Sequence, residues 1–194
     1  MNKNTRVILG MAIISGLSVL VTLLASISQV SFAGSSDVQN FMNMTEEQRV
    51  QASKNMTQEE KQKIMDEFSK QNSTLDENMS ANTASDAKPL MGNFEGAGDG
   101  FHNVEGLAKV IMLSDGKTFL RLENLKSTNG PDLYLYLSTG KDVSDIVSLG
   151  RLKGNIGNQN YEIPNGTDLS KYNTVLIWCK AFSTLFGSAK LTSQ

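Results

Sequence analysis

The hydrophobic positions of this chain change in character along its length, and the first block is a mostly apolar run without charged residues over Val7–Ile27. At about 1.5 Å rise per residue, a helix of this length spans a hydrocarbon core of roughly 30 Å. Lys3 and Arg6 precede the run, and basic residues on that side favour a cytoplasmic N-terminus. The pattern predicts a signal peptide or transmembrane anchor within residues 1–33, with the rest of the chain exported.

Two fates of this helix stay open. Ser31 and Ala33 are small residues at the −3 and −1 positions of a signal-peptidase site, so cleavage after Ala33 would release a secreted protein. The length of the run favours retention instead, because apolar regions of signal peptides usually span about 7–15 residues. We therefore expect either a protein tethered to the membrane through residues 7–27 or a secreted one, extracytoplasmic in both cases.

Residues 34–89 are polar and contain two copies of a pattern that starts helices. Thr45 is followed three residues later by Gln48, and Thr57 is followed three residues later by Glu60. Each pair has the spacing of a capping box, in which the two residues satisfy each other's backbone N–H groups. The predicted helices span about residues 45–54 and 57–70.

The role of residues 34–89 has two interpretations. Their polar composition, and the absence of periodicity after Lys70, predict a partly disordered stalk that holds the next domain away from the membrane. Ile64 and Phe68 lie four residues apart, however, and give the second helix a narrow apolar stripe. That stripe would contact the next domain or the membrane surface, and a partner-binding helical pair is the alternative to a stalk.

Residues 90–194 have the pattern of an all-β domain. Short alternating or fully apolar stretches are separated by turns such as Ser114-Asp115-Gly116, whose Asp-Gly pair accepts the positive φ of a tight hairpin. Leucines alternate with tyrosines over Leu133–Leu137, and Thr174–Phe182 is the most apolar run of the domain. We expect this run to be a central strand of an antiparallel β-sandwich of seven or eight short strands.

Composition and charge exclude several classes of function. The chain has 18 Lys and Arg against 20 Asp and Glu, a formal net charge of −2, whereas a nucleic-acid-binding surface needs net positive charge. One cysteine and one histidine exclude an internal disulfide framework, a cysteine-ligated iron–sulfur cluster and a three-histidine zinc site within one chain. We expect no nucleic-acid partner. The sequence favours a non-enzymatic function without settling it, and it names no cofactor.

Cys179 is the main candidate for chemistry, and it has two interpretations. Free cysteines commonly pack in cores as small hydrophobes. The second interpretation starts from the compartment, because a lone exposed thiol outside the cytoplasm would become oxidised or cross-linked. Cys179 is then either sequestered or bound to a ligand. Because one thiol cannot cycle through an internal disulfide, electron transfer through Cys179 requires a bound metal or haem, or a mixed disulfide with a partner protein.

His102 and Trp178 are the possible neighbours of this thiol. His102 follows the glycine-rich stretch Gly96–Gly100 and would ligate a metal together with Cys179 and a methionine sulfur. The alternative is a loop histidine bonded to the backbone, because a lone histidine lacks the second imidazole that often defines a site. Trp178 lies next to Cys179 in the chain, although aromatic residues of small β domains more often pack in the core.

Several of these segments together resemble the DM-thirteen domain family, which is described as electron transfer DM. The resemblance covers about Leu90–Leu191 and does not extend to residues 1–89. It implies a β-rich extracytoplasmic domain in which one cysteine, here Cys179, has a proposed redox role. The segments that carry it include Gly100-Phe101-His102, Thr128-Asn129-Gly130-Pro131-Asp132-Leu133, Leu149–Pro164, Ile177-Trp178-Cys179 and Leu185-Phe186-Gly187.

Two functional hypotheses follow. In the first, the chain is a membrane-tethered or secreted extracytoplasmic protein that takes part in electron transfer through Cys179, with an unidentified cofactor or redox partner. In the second, it is a non-catalytic cell-surface module that binds protein or glycan, and Cys179 is a buried core residue.

Overall fold

The computed structural model describes residues 35–79 and 89–193. The predicted anchor or signal peptide of residues 1–33, with its cleavage site after Ala33, lies outside the described residues, as does part of the predicted linker. None of the helices within the described ranges is both long enough and apolar enough to cross a membrane.

The described chain begins with short helices and continues as strands. The helices are α1 Ser35–Asn43, α2 Glu46–Asn55 and α3 Gln58–Ser69. The strands are β1 Thr74–Asp76, β2 Leu90–Gly96, β3 Val104–Met112, β4 Thr118–Ser127, β5 Leu133–Ser138, β6 Ile146–Arg151, β7 Ile156–Ile163, β8 Thr174–Cys179, β9 Thr184–Lys190 and β10 Thr192–Ser193.

Both predicted capping boxes are present at the starts of α2 and α3. The Thr45 hydroxyl accepts from the Gln48 N–H at 3.3 Å, and the Gln48 side chain accepts from the Thr45 N–H at 2.8 Å. Thr57 and Glu60 make the same pair of hydrogen bonds at 3.2 and 2.7 Å. The predictions of helices over about 45–54 and 57–70 are therefore confirmed.

The strands form one curled, mixed sheet. Its order is β1-β7-β4-β3-β2-β9-β8-β5-β6, and β10 pairs with β2. β1 runs parallel to β7, and the other pairs of the described sheet are antiparallel. The curl is located in β2, because Met91–Asn93 pair with β3 whereas Phe94–Gly96 pair with β9.

This architecture confirms the mostly β prediction in its coarse form. The antiparallel sandwich of two sheets is not confirmed, because hydrogen bonding continues through β2 from one half of the sheet to the other. The described sheet has ten strands instead of the expected seven or eight. β1 and β10 span only three and two residues, which is too short to show an alternating pattern.

One hydrophobic cluster lies between the two halves of the curled sheet and extends to the helices. Its sheet residues come from alternate positions of β4, β5 and β8, such as Leu122, Leu135 and Ile177, each with no exposed surface. β8 pairs with β5 on one side and with β9 on the other, so the prediction that it is a central strand is confirmed. The same cluster contains Ile64 and Phe68 of α3, which are 1% and 4% exposed.

The helices are thus packed on the sheet, which is one of the two contacts that the apolar stripe of α3 predicted, the other being with the membrane surface. The apolar stripe of α3 contacts the β-rich part of the chain through Ile64 and Phe68. β1 then joins the edge of β7, where Gly157 permits close approach because an added Cβ would lie 2.2 Å from the Leu75 carbonyl oxygen. The predicted division into residues 1–33, 34–89 and 90–194 stays a prediction.

We expect Phe68→Ala to lower the free energy of unfolding by about 3–5 kcal/mol, because it leaves a cavity where α3 meets the sheet. Urea unfolding of the full chain, followed by circular dichroism, measures this change. Met42→Ala is the matched control, since Met42 is 39% exposed and its removal should change the free energy by less than about 0.5 kcal/mol. Equal stability of Phe68→Ala and wild type would show that the helices do not contribute to the folded domain.

Candidate functional site at Cys179

Cys179 is the last residue of β8 and points into the main hydrophobic cluster. It pairs with Leu133 of β5 and Thr184 of β9, and it has no exposed surface. Burial raises the pKa of the thiol to about 12, although nearby backbone N–H groups, that of Phe182 foremost, act in the opposite direction. The thiol is therefore neutral at physiological pH, and a neutral thiol is a poor nucleophile and a poor metal ligand.

A tight turn over residues 180–183 follows Cys179 and closes over it. The Lys180 N–H donates to the carbonyl oxygen of Asp132 at 3.0 Å, which ties the turn to the start of β5. Ser183 has φ of +53°, in the left-handed region, and its N–H donates to the Lys180 carbonyl at 3.4 Å. Ala181, at the centre of the turn, is 3% exposed.

Helices α1 and α2, which we call the helical cover, lie on this turn. The Ser53 hydroxyl of α2 donates to the Ala181 carbonyl oxygen at 2.5 Å. The ring of Phe41 in α1 lies 5.6 Å from that of Phe182, measured between centroids. The Glu46 carboxylate pairs with the Lys180 ammonium group. Contacts from both helices therefore converge on the residues that immediately follow Cys179.

The helical cover is fixed to the sheet by a buried ion pair. The Asp132 carboxylate has no exposed surface, and its Oδ1 lies 3.0 Å from Arg49 Nη2 of α2 and 2.7 Å from Arg151 Nη1 of β6. The Arg49 side chain is 9% exposed, whereas that of Arg151 is 50% exposed. Arg49 Nη1 also donates to the Met44 carbonyl at 2.6 Å. The negative charge of Asp132 contributes to the raised pKa of Cys179.

Trp178 faces away from Cys179. It packs with Leu176, Tyr134 and Tyr136 in a smaller cluster on the opposite face of the same strands. The rings of Tyr134 and Tyr136 stack with centroids 5.9 Å apart, and Tyr134 also lies 5.2 Å from the Lys180 ammonium nitrogen. Burial and the Glu46 carboxylate raise the pKa of Tyr134 to about 12. This cluster reaches the helical cover through Glu46, to which the Tyr134 hydroxyl donates.

His102 is engaged by other partners. Its Nδ1 lies 2.5 Å from the Asp99 carboxylate, and its ring lies between those of Phe101 and Phe186, at centroid distances of 5.0 and 4.2 Å. Burial acts to raise the pKa of Asp99, but hydrogen bonds donated by the His102 ring and by backbone N–H groups lower it to about 2. Across residues 35–79 and 89–193, no group of three or more His, Cys, Asp and Glu side chains is arranged to hold a metal ion.

Sequence reasoning therefore identified the thiol but missed the groups that enclose it. Asp132 and Arg49 are separated by 83 residues, and nothing in the polar helix pattern marks Arg49 as a buried residue. One signal was present at Asp132, which stands as a charged residue between Pro131 and the apolar strand that begins at Leu133. A carboxylate entering a buried strand requires a partner, but the sequence does not say which one.

The comparisons with known proteins find one family. Residues 96–191 match the family model described as Electron transfer DM13. The matched residues contain Cys179, His102, Trp178 and Asp132, whereas the helical cover and Arg49 precede them. No curated protein and no solved structure matches the chain.

We expect Arg49→Met to lower the free energy of unfolding by about 3 kcal/mol, because it removes the buried partner of the Asp132 carboxylate and leaves only the half-exposed Arg151. Arg151→Met is the matched control. Its side chain is half exposed, so its loss should cost about 1 kcal/mol. Chemical denaturation of both variants measures the difference. Equal losses would show that α2 is not fixed to the sheet by this ion pair.

The raised pKa of Cys179 predicts a specific dependence of stability on pH. Below pH 9, the thiol is protonated in both the folded and the unfolded chain, so it adds no dependence. Between pH 9 and 12, the unfolded thiol loses its proton while the folded thiol keeps it. The free energy of unfolding should therefore fall by about 1.4 kcal/mol per pH unit relative to Cys179→Ala.

Urea unfolding of wild type and Cys179→Ala at pH 8 and pH 10.5 measures this effect. The buried tyrosines titrate in both proteins and cancel in the comparison. A difference between the two proteins that does not change with pH would mean that the folded thiol ionises as readily as the unfolded one.

Proposed function

We propose that this chain, whose residues 96–191 form a domain of the electron transfer DM13 family, is an extracytoplasmic redox protein that reacts through Cys179. It is tethered to the membrane by residues 7–27, or secreted after cleavage at Ala33. The family supports a redox-related role, and the charge-free apolar run Val7–Ile27 supports export. The observation that carries the proposal is the complete burial of the chain's one cysteine beneath contacts from the helical cover.

In the closed state, the enclosure preserves the thiol. An exposed thiol in an oxidising compartment would be lost to random oxidation or cross-linking, whereas Cys179 has no exposed surface and stays protonated. The protein therefore keeps a reduced sulfur where free thiols do not persist.

In the open state, the helical cover leaves the turn over residues 180–183 and water reaches Cys179. Since burial is the main cause of the raised pKa, exposure returns the pKa of the thiol towards its ordinary range and a thiolate forms. The thiolate attacks a disulfide of a partner protein. A bond forms between Cys179 Sγ and one partner sulfur, the partner's disulfide bond breaks, and the released sulfur takes up a proton.

The second reaction restores the protein. A thiolate of a further partner attacks the first partner's sulfur in the mixed disulfide. The two partner sulfurs form a new disulfide, and Cys179 leaves as a thiolate and regains its proton. Cys179 thus exchanges a disulfide of one partner for a disulfide that joins the two partners, without needing a second cysteine of its own, in keeping with the single cysteine of the chain.

The second candidate function is a non-catalytic surface module in which Cys179 is a core residue. The same burial and raised pKa favour it, because a thiol that never leaves the core needs neither a partner nor an opening. The two functions differ in one respect: the redox function requires the helical cover to open while the sheet stays folded.

We expect Arg49→Gln to accelerate the reaction of Cys179 with oxidised glutathione by roughly 10–100-fold, because loss of the buried ion pair destabilises the closed cover. Any mixed disulfide reports Cys179, since the chain has one cysteine. Mass spectrometry of the native full chain at pH 8 follows its formation, and circular dichroism verifies that the variant stays folded.

Lys63→Ala is the matched control, because its ion pair with Glu59 lies exposed on α3 and its loss should leave the rate unchanged. If wild type and Arg49→Gln both react only as fast as they unfold globally, Cys179 is a core residue and the second candidate function holds.

A further inference from the structure

The face of the sheet opposite Cys179 carries a groove of about 760 Å³, which we call the polar groove. Its floor is formed by β2, β8 and β9, and Thr139, Gly140 and Lys141 after β5 form one wall. A volume of this size lies within the range of about 300–1,000 Å³ that is usual for small-molecule sites. Neither the family match nor the chemistry of Cys179 assigns it a role.

Two hydroxyl groups on the floor of the groove lack protein partners. Thr174 of β8 and Ser188 of β9 are both 4% exposed, and their side chains make no hydrogen bond to another residue in the described part of the chain. The neighbouring Ser138 differs, because its hydroxyl donates to the Asp142 carbonyl at 2.7 Å. Neither hydroxyl oxygen is among the fully buried polar atoms that lack a partner, so both are reachable from the groove. A ligand hydroxyl that enters the groove can therefore hydrogen-bond to them in place of solvent.

The charged residues that line the groove restrict the net charge of a ligand that binds there. Glu95 and Lys141 form an ion pair of 3.7 Å at its mouth, with side chains 76% and 67% exposed. The remaining cation, Lys190, is hydrogen-bonded to the Asn173 side chain. With one carboxylate and two ammonium groups, the lining balances to a single positive charge. That is a poor match for a multiply charged phosphate, and it suits a neutral or singly acidic ligand.

The remaining lining combines donors, acceptors and a small apolar surface. Asn93 offers an amide, Thr139 and Thr192 offer hydroxyls, and Leu107 and Met91 present hydrocarbon. Sugars carry hydroxyl groups that both donate and accept, together with C–H faces that pack on apolar side chains. A ligand with this mixture would satisfy both floor hydroxyls.

We propose that the polar groove binds a short saccharide chain through the hydroxyls of Thr174 and Ser188, with Asn93 and Glu95 contacting its other hydroxyl groups. This inference does not depend on the redox function. Ser188 precedes Ala189, which lies in the core, and so faces the side of the sheet away from Cys179. The groove is compatible with either candidate function.

The test screens the full chain on a printed array of defined oligosaccharides and titrates the best-bound free oligosaccharide by isothermal calorimetry. We expect Thr174→Val and Ser188→Ala each to weaken binding by about tenfold, because each removes a hydroxyl and leaves the shape of the floor almost unchanged. Thr118→Val is the matched control, since it removes a hydroxyl from β4 outside the groove. Cys179→Ala should bind as wild type does, which separates this test from that of the redox function.

Three results would overturn the proposal: no array saccharide binds, binding survives the loss of both hydroxyls, or inorganic phosphate binds the groove more tightly than any saccharide. Thermal unfolding verifies that each variant is folded. If a floor variant does not fold, Glu95→Gln takes its place, because Glu95 is exposed on β2 and its carboxylate contacts the ligand in our proposal.

Discussion

The carboxylate of Asp132 is enclosed between two guanidinium groups, and the arrangement around Cys179 depends on it. Arg49 approaches from α2 and Arg151 from β6, and both contact the same oxygen. A buried carboxylate without a cation would be strongly unfavourable, so the contact with Arg49 stabilises the closed position of α2, and Arg151 remains beside Asp132 when α2 moves away. The backbone of Asp132 also holds the turn that begins at Lys180. One residue thus couples the position of the helices to the enclosure of the thiol.

This coupling joins two parts of the chain, of which one matches the family model and the other does not. Strands β3 to β9 and Cys179 lie within the residues that match the electron transfer family, whereas α1 and α2 precede them. The helices are short and their individual stability is small, since most helical stability comes from packing of a face. An element of this kind is suited to open separately from the sheet. The two faces of β8 belong to different sites: Cys179 faces the core, and Thr174 faces the polar groove.

The features predicted from sequence are those set by near neighbours in the chain. The capping box of Thr45 and Gln48 depends on residues three apart, and the inward position of Cys179 follows from alternation along one strand. The curl at β2 and the ion pair of Arg49 with Asp132 depend on residues far apart in the chain, and no local pattern encodes them. Burial of the thiol was therefore one of the two interpretations open from the sequence, whereas its enclosure by the helices was not among them.

Hydrogen exchange of backbone amides tests most directly whether the helical cover shelters Cys179. We measure native-state exchange by mass spectrometry for α2, for the turn over residues 180–183 and for β4. The account predicts that α2 and the turn exchange through one shared opening of lower free energy than the opening of β4. If the turn instead exchanges only together with β4 while α2 exchanges freely, the helices do not control access to the thiol.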